Sequence, residues 1–334
     1  MMDYTTFKKV AENEIRGYLP EAYQNAMIDV APVNKVNKTK DAMMVRLHED
    51  TEVAPTMYLD DAYERYKETD DLNGVLKELA DAYAEHIEKG REIGLPKLTK
   101  EYVSGNVVMA MVNTESNQAL LSDKPHREVN DCSVIYRLLI DQSGDGMATT
   151  IVTDKLAEAV GMDEQELFMR ASENTKKLLP TRIRSMNEII MDMMVGEGMP
   201  RDMAEDMVGS MEPGDVKMWV ITNEKGINGA VNMLYDENLH GLSEKLGDDL
   251  YVLPSSVHEV ICVPASMGTP EELQAMVQEV NMTAVSLEER LSNQVYHYDS
   301  NLRKLTMATD TPNKRIDGMV AEQPLIYEAK EQKR

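Results

Sequence analysis

Leu250-Tyr251-Val252-Leu253-Pro254-Ser255-Ser256-Val257-His258-Glu259-Val260-Ile261-Cys262-Val263 is the stretch on which the reading of the fold turns. Two short apolar runs, Leu250–Leu253 and His258–Val263, flank a Pro-Ser-Ser turn, the pattern of a paired set of antiparallel strands. Another pair of runs precedes it, Lys217–Thr222 and Asn228–Tyr235, about Asn223-Glu224-Lys225-Gly226. A helix over Asp236–Leu246 separates the two pairs. A further helix starts at Thr269-Pro270-Glu271-Glu272, which combines an N-cap, a proline in the first turn and a capping-box glutamate. Hairpin, helix, hairpin and helix in that order predict an α+β fold of antiparallel sheets, with the helices segregated to one face.

Working toward the N-terminus, the spacing predicts two units. Residues 3–18 read as a helix with Phe7, Val10, Ala11, Ile15 and Tyr18 on one face. Three apolar runs, Ala26–Val33, Ala42–Leu47 and Val53–Leu59, predict a meander of strands, and helices follow at about Asp60–Glu68 and Asp71–Lys89. Residues 1–95 therefore read as a small α-β-β-β-α unit, closed by a break at Gly90, Gly94 and Pro96. Residues 96–305 read as a larger α+β unit. Its expected elements are a strand at Val107–Val112, a short helix at Glu115–Leu121, a hairpin of Val129–Ile140 with Ala148–Val152, and helices about Asp154–Val160 and Asp163–Leu179. It carries a Met-rich helical insert over residues 182–212. From Thr306 the periodicity fades, and residues 306–334 read as a mobile tail.

Composition narrows the function. The chain has 334 residues, 42% of them apolar, and its 35 basic against 59 acidic residues give a net charge of −24. That leaves room for a sizeable core and excludes a disordered chain, a collagen, a small disulfide scaffold and a membrane-embedded protein. The negative charge is spread over both halves and repels phosphates and anionic lipid headgroups. The best basic runs, Lys35–Lys40 and Arg182–Arg184, are short. The partner expected is therefore a protein, with no direct nucleic acid and no membrane. The two cysteines, Cys132 and Cys262, sit in apolar runs and read as buried free thiols of a reducing compartment; one bridge between them is the alternative. Without an apolar leader segment or a run of transmembrane length, the expected location is cytoplasmic. Methionine is abundant at 26 residues while Phe numbers two and Trp one, so the core must be filled by aliphatic side chains and Met.

The motif search excludes more than it assigns. There is no phosphate-binding glycine pattern, no Gly-x-Ser-x-Gly elbow and no zinc spacing, so no cofactor and no metal are expected. Asp141-Gln142-Ser143-Gly144-Asp145-Gly146 places oxygen donors at loop positions one, three and five, but Val152 stands where calcium requires a bidentate Glu, so it reads as a hairpin turn. The densest reactive cluster is Ser255, Ser256, His258 and Glu259. A serine could serve as nucleophile, His258 as base and Glu259 as its orienter, with His126 as a distant group. Adjacent strand residues face opposite ways, however, so Glu259 is poorly placed to orient the His258 ring. The alternative is a turn whose Ser hydroxyls satisfy backbone groups. His297, between Tyr296 and Tyr298, could stack a ligand or simply pack. Met199, Met203, Met207 and Met211 recur every four residues and form one helical stripe. It reads either as core packing with Met in place of Leu or as a pliable groove that receives a partner.

Several phrases taken together carry a resemblance. They are Asn113-Thr114-Glu115-Ser116-Asn117, Leu120-Leu121, Pro125-His126, Glu173-Asn174-Thr175 with Leu178-Leu179-Pro180, Met218–Thr222, Leu253–Val263 and Val295–Asp299. Over Tyr4 to about Asp299 the chain resembles a domain-of-unknown-function family of anaerobic gut Firmicutes, whose genes often lie on integrated mobile elements. The resemblance implies a cytosolic bacterial accessory protein and transfers no activity, cofactor or catalytic residue. The expectation is thus an uncharacterised acidic protein with a non-enzymatic interaction or accessory role. The alternatives are a hydrolase with a site around Ser255, Ser256 and His258, and a decoy that mimics the charge of DNA.

Overall fold

Asp3 starts the first helix, α1 (Tyr4–Glu14), by accepting the Thr6 N–H at 2.9 Å. A computed structural model describes residues 1–46, 56–93, 96–141, 147–210, 217–312 and 314–316. After α1, strands β1 (Met27–Lys35), β2 (Lys38–Arg46) and β3 (Thr56–Tyr58) form an antiparallel sheet in that order, the meander expected from the sequence. Helices α2 (Leu59–Thr69) and α3 (Leu72–Ile93) follow. Their apolar faces bury Leu59, Ala62, Tyr66, Leu76 and Tyr83 with Phe7 and Ile15 and with Met43 and Val45 of β2. The Tyr83 hydroxyl satisfies itself inside this core on the Val45 carbonyl at 2.9 Å. Helix α3 runs through Gly90 to Ile93, where the sequence suggested a break.

Helix α4 (Lys100–Asn106), which the sequence reading lacked, leads into β4 (Val107–Asn113), a strand buried along its whole length. Helix α5 (Gln118–Leu121), strands β5 (His126–Val129), β6 (Cys132–Asp141) and β7 (Ala148–Ile151), and helices α6 (Asp154–Val160) and α7 (Glu164–Leu178) follow. The strands form a sheet of order β4-β6-β5, with β7 also paired to β6. Of the oxygen-rich loop, residues 142–146 lie outside the described residues.

The rest of the chain holds β8 (Thr181–Ser185), α8 (Met186–Gly196), α9 (Arg201–Gly209), β9 (Trp219–Asn223), α10 (Asp236–Leu246), β10 (Leu250–Leu253), β11 (Val260–Pro264), α11 (Pro270–Thr283), β12 (Tyr296–Asp299) and β13 (Lys304–Met307). Their sheet has the order β13-β12-β10-β11-β9-β8, and its pairings are antiparallel. The capping box at Thr269 and Glu272 opens α11 as its sequence predicts.

Residues 228–235 depart from expectation. They form a 3₁₀ helix, Gly229–Leu234, rather than a strand, and β9 pairs with β8 and β11 instead. Asn228 takes the left-handed conformation at φ 55°. At Gly229 a Cβ would fall 2.5 Å from the His258 carbonyl and 2.8 Å from the Asn223 nitrogen. The chain can turn inward there only because no side chain fills that space. The fold also continues past residue 305: β13 reaches Met307, and the Ile316 N–H bonds Ser116 Oγ at 3.1 Å with Ile316 buried.

The protein is α+β, built of several antiparallel sheets. Its chain divides into two compact units, Met1–Val108 with Ala119–Pro125 and Tyr136–Thr175, and Met109–Gln118 with His126–Ile135 and Lys176–Arg334. Both cysteines are buried and free. No described helix is long and apolar enough to cross a membrane.

Candidate functional site

The reactive turn after β10 is tied into its own surroundings. Ser255 and Ser256 are buried, and backbone bonds from Leu291 to the Ser255 carbonyl and from Val257 to the Glu289 carbonyl hold the segment against residues 289–291. The His258 N–H donates to Ser256 Oγ at 3.0 Å, so that hydroxyl serves the backbone rather than the ring. The His258 ring is engaged on both sides. Its Nδ1 accepts the Asn228 N–H at 3.2 Å, which assigns the proton to Nε2, and Nε2 faces Glu289 Oε1 at 3.5 Å. A general base needs a free lone pair, and here that pair is occupied. The acid beside the ring is Glu289, from a distant segment, and not the neighbouring Glu259, which is exposed. Neither Asn228 nor Glu289 carried a signal in the sequence that linked it to His258.

His126 and His297 both lie on strands. His126 lies on β5 opposite Ile135 of β6. His297 does not pack between its neighbours in sequence: Tyr296 and Tyr298 are buried, and strand alternation turns His297 the other way. It meets the Tyr251 ring at 5.6 Å and Asp249 Oδ2 at 3.4 Å. Hydrogen bonds from the Ser300 hydroxyl and N–H hold the Asp249 carboxyl below its usual range. Asp249 lines an open polar cleft of about 520 Å³ with His240, Ser243, Glu244, Asp248 and Ser300. Among the described residues no group of three or more His, Cys, Asp or Glu could hold a metal ion.

The buried Asp131 and Cys132 of this unit are satisfied internally, whereas His240 Nδ1 and Asn281 Oδ1 are buried without a hydrogen-bond partner among the described residues. Asp131 is 4% exposed and accepts the Ser292 hydroxyl at 2.6 Å and the Tyr296 hydroxyl at 2.5 Å. Cys132 Sγ lies 3.3 Å from the same phenol oxygen. Burial, with Asp131 alongside, pushes the Cys132 thiol well above its ordinary value, so it stays protonated and is a poor nucleophile. The Asn113–Asn117 phrase is structural as well: Asn113 Oδ1 caps the Ser116 N–H at 2.9 Å, and its Nδ2 donates to the Lys314 carbonyl at 3.2 Å.

Helices α8 and α9 differ from everything above. Ser185 and Glu188 form a capping box that starts α8, and Gly198, at φ 97°, turns the chain toward α9. No residue of α8 is fully buried. In α9 the buried residues are Ala204 and Val208. The methionines one position earlier face outward: Met203 is 55% and Met207 46% exposed, with Met193 of α8 at 62%. Met199 is half-buried, and Met211 lies outside the described residues. The core-packing reading therefore fails for Met203 and Met207. Isolated apolar residues on a surface are ordinary, but here three exposed methionines fall on two helices that pack against each other.

Charge follows the same geometry. At 100° per residue, α9 carries Asp202 and Asp206 on one row, Met203 and Met207 on the next, and the buried Ala204 and Val208 on the row after. Helix α8 repeats the order: exposed Glu188 and Asp192, then Ile189 and Met193, then the half-buried Ile190 and Met194. Over residues 186–210 six acidic residues stand against one basic residue, Arg201, which pairs with Glu205 at 3.2 Å. Arg184 of β8 pairs with Asp192. The hairpin thus offers flexible, polarizable apolar rows beside acidic ones, an arrangement suited to binding rather than to bond-making.

A sequence model of a family of unknown function, DUF5688, matches residues 4–300. No curated protein and no solved structure matches the chain.

Proposed function

We propose that this chain, which belongs to the DUF5688 family, is a non-enzymatic, cytosolic accessory protein that binds a protein partner through the α8–α9 hairpin. The observation that carries this reading is the exposure of Met203 and Met207 on α9, which already buries Ala204 and Val208, together with the exposed Met193 on the neighbouring α8. About half of each side chain is already covered, so burying the rest is worth about 1 kcal/mol apiece, and three make a useful anchor. The occupied His258 lone pair and the protonated Cys132 thiol add support, since both of these groups serve the fold. A bacterial mobile element is the setting we propose for this role, on the strength of the family resemblance.

The test is capture from a bacterial lysate on the immobilised native chain and on the variant Met193→Gln/Met203→Gln/Met207→Gln. The reading expects a protein retained by the native chain and lost from the variant. Retention by both, with release of nucleic-acid-binding proteins in high salt, would favour the charge-mimic decoy. A fluorophosphonate adduct on Ser255 or Ser256 would favour the hydrolase.

A further inference from the structure

Resting on that reading, we infer that the occupant of the α8–α9 face is a basic amphipathic helix of the partner. The face is built in rows, and the rows specify the occupant. Helix α9 sets the exposed row of Met203 and Met207 between the acidic row of Asp202 and Asp206 and the buried row of Ala204 and Val208, and α8 adds the exposed Met193 beside Asp192, which pairs with Arg184. A helix with an apolar stripe flanked by lysines or arginines sets its stripe on the methionines and its cations on the carboxylates. Unbranched methionines adapt to apolar residues of different shape, so the face selects the pattern more than the particular side chains. Helix α8 has 11 residues, roughly 16 Å, so it accommodates about three turns of such a partner.

Two other occupants fit less well. A second copy would bring an identical acidic face, six carboxylates against Arg201 and the neighbouring Arg184, and the like charges would oppose contact. Residues 317–334 of this chain carry four acidic and three basic residues, a net charge of −1, and so complement the acidic face poorly.

The experiment uses the full chain and a fluorescein-labelled synthetic peptide of about 14 residues, with leucine and lysine placed at helical spacing. One control peptide has the same composition scrambled, and another has glutamate in place of lysine. Binding is read by anisotropy, with circular dichroism checking that each protein variant is folded. The native chain is expected to bind the lysine helix at least about tenfold tighter than either control. Met193→Gln/Met203→Gln/Met207→Gln should weaken it about tenfold, and Asp202→Asn/Asp206→Asn should weaken it with a shallower salt dependence.

Equal binding of the glutamate or scrambled helix overturns the inference. So does equal binding of the 317–334 peptide, or a dimer that the triple variant dissolves. If no lysine helix binds while a lysate protein is still lost from the triple variant, the partner class fails and the docking face stands. If the lysine helix binds native chain and triple variant alike, and the lysate proteins do too, both fail.

Discussion

The turn at residues 254–258 and the hairpin of α8 and α9 belong to the same unit and behave in opposite ways. The turn holds two serines, a histidine and a nearby acid, residue types from which hydrolases are built. Yet Ser256 serves the His258 N–H and the His258 ring is held between Asn228 and Glu289. The hairpin holds no group that could move a proton at neutral pH in the way an imidazole does, yet it leaves three methionines uncovered. Reactivity of a residue type therefore says less about function than what the fold leaves unsatisfied. A hydroxyl or imidazole committed to backbone groups is part of the scaffold, whereas an uncovered apolar row is an interaction waiting for a second surface.

That contrast can be broken or sharpened by measurement. The largest effect is expected at Gly229, where the added methyl of Gly229→Ala meets backbone at 2.5 and 2.8 Å and should cost about 3 kcal/mol in chemical denaturation. An unaffected midpoint would mean that the His258 side of the turn is loosely packed. Asp131→Ala strands the buried Ser292 and Tyr296 hydroxyls and should cost about 2 kcal/mol on the same measurement. Ser256→Ala removes one acceptor from a buried backbone N–H, an expected loss of about 1 kcal/mol.

A smaller effect follows from Asp249, whose carboxyl is held below its ordinary value of 3.8. A group depressed in the folded state stabilises above its unfolded pKa, and the gain is lost as pH falls through the folded one. Its contribution should be intact above about pH 4 and fade below it, and Asp249→Asn should flatten that part of a stability–pH profile. The smallest effect on stability is expected in the hairpin itself. Met193→Gln/Met203→Gln/Met207→Gln should change the unfolding free energy by less than about 1 kcal/mol, because these side chains lose little contact. A large loss would return them to the core.

The sequence made much of the fold legible where local chemistry is explicit. Thr269-Pro270-Glu271-Glu272 announces α11, and Leu72 to Tyr83 announce α3 through their spacing. Strand β8 corrects the start of the helical insert expected over residues 182–212: Thr181 to Ser185 alternate and pair with β9, and helix begins only at Met186. Residues 228–235 read as a strand because Ala230, Val231 and Met233 are apolar; the left-handed Asn228 and the crowded Gly229 decide otherwise, and both depend on tertiary contact. At the candidate site the four-residue repeat of Met199, Met203 and Met207 was visible. Which row of α9 turns inward was not, because Ala204 and Val208 repeat with the same period one position later.

The most direct test places a photo-crosslinking residue at Met203 in one version of the chain and at Glu259, exposed beside the reactive turn, in another. Both are expressed in cells of the organism that encodes the chain and irradiated. A protein adduct from position 203 and none from position 259 is the result expected; adducts from position 259 alone would contradict the account.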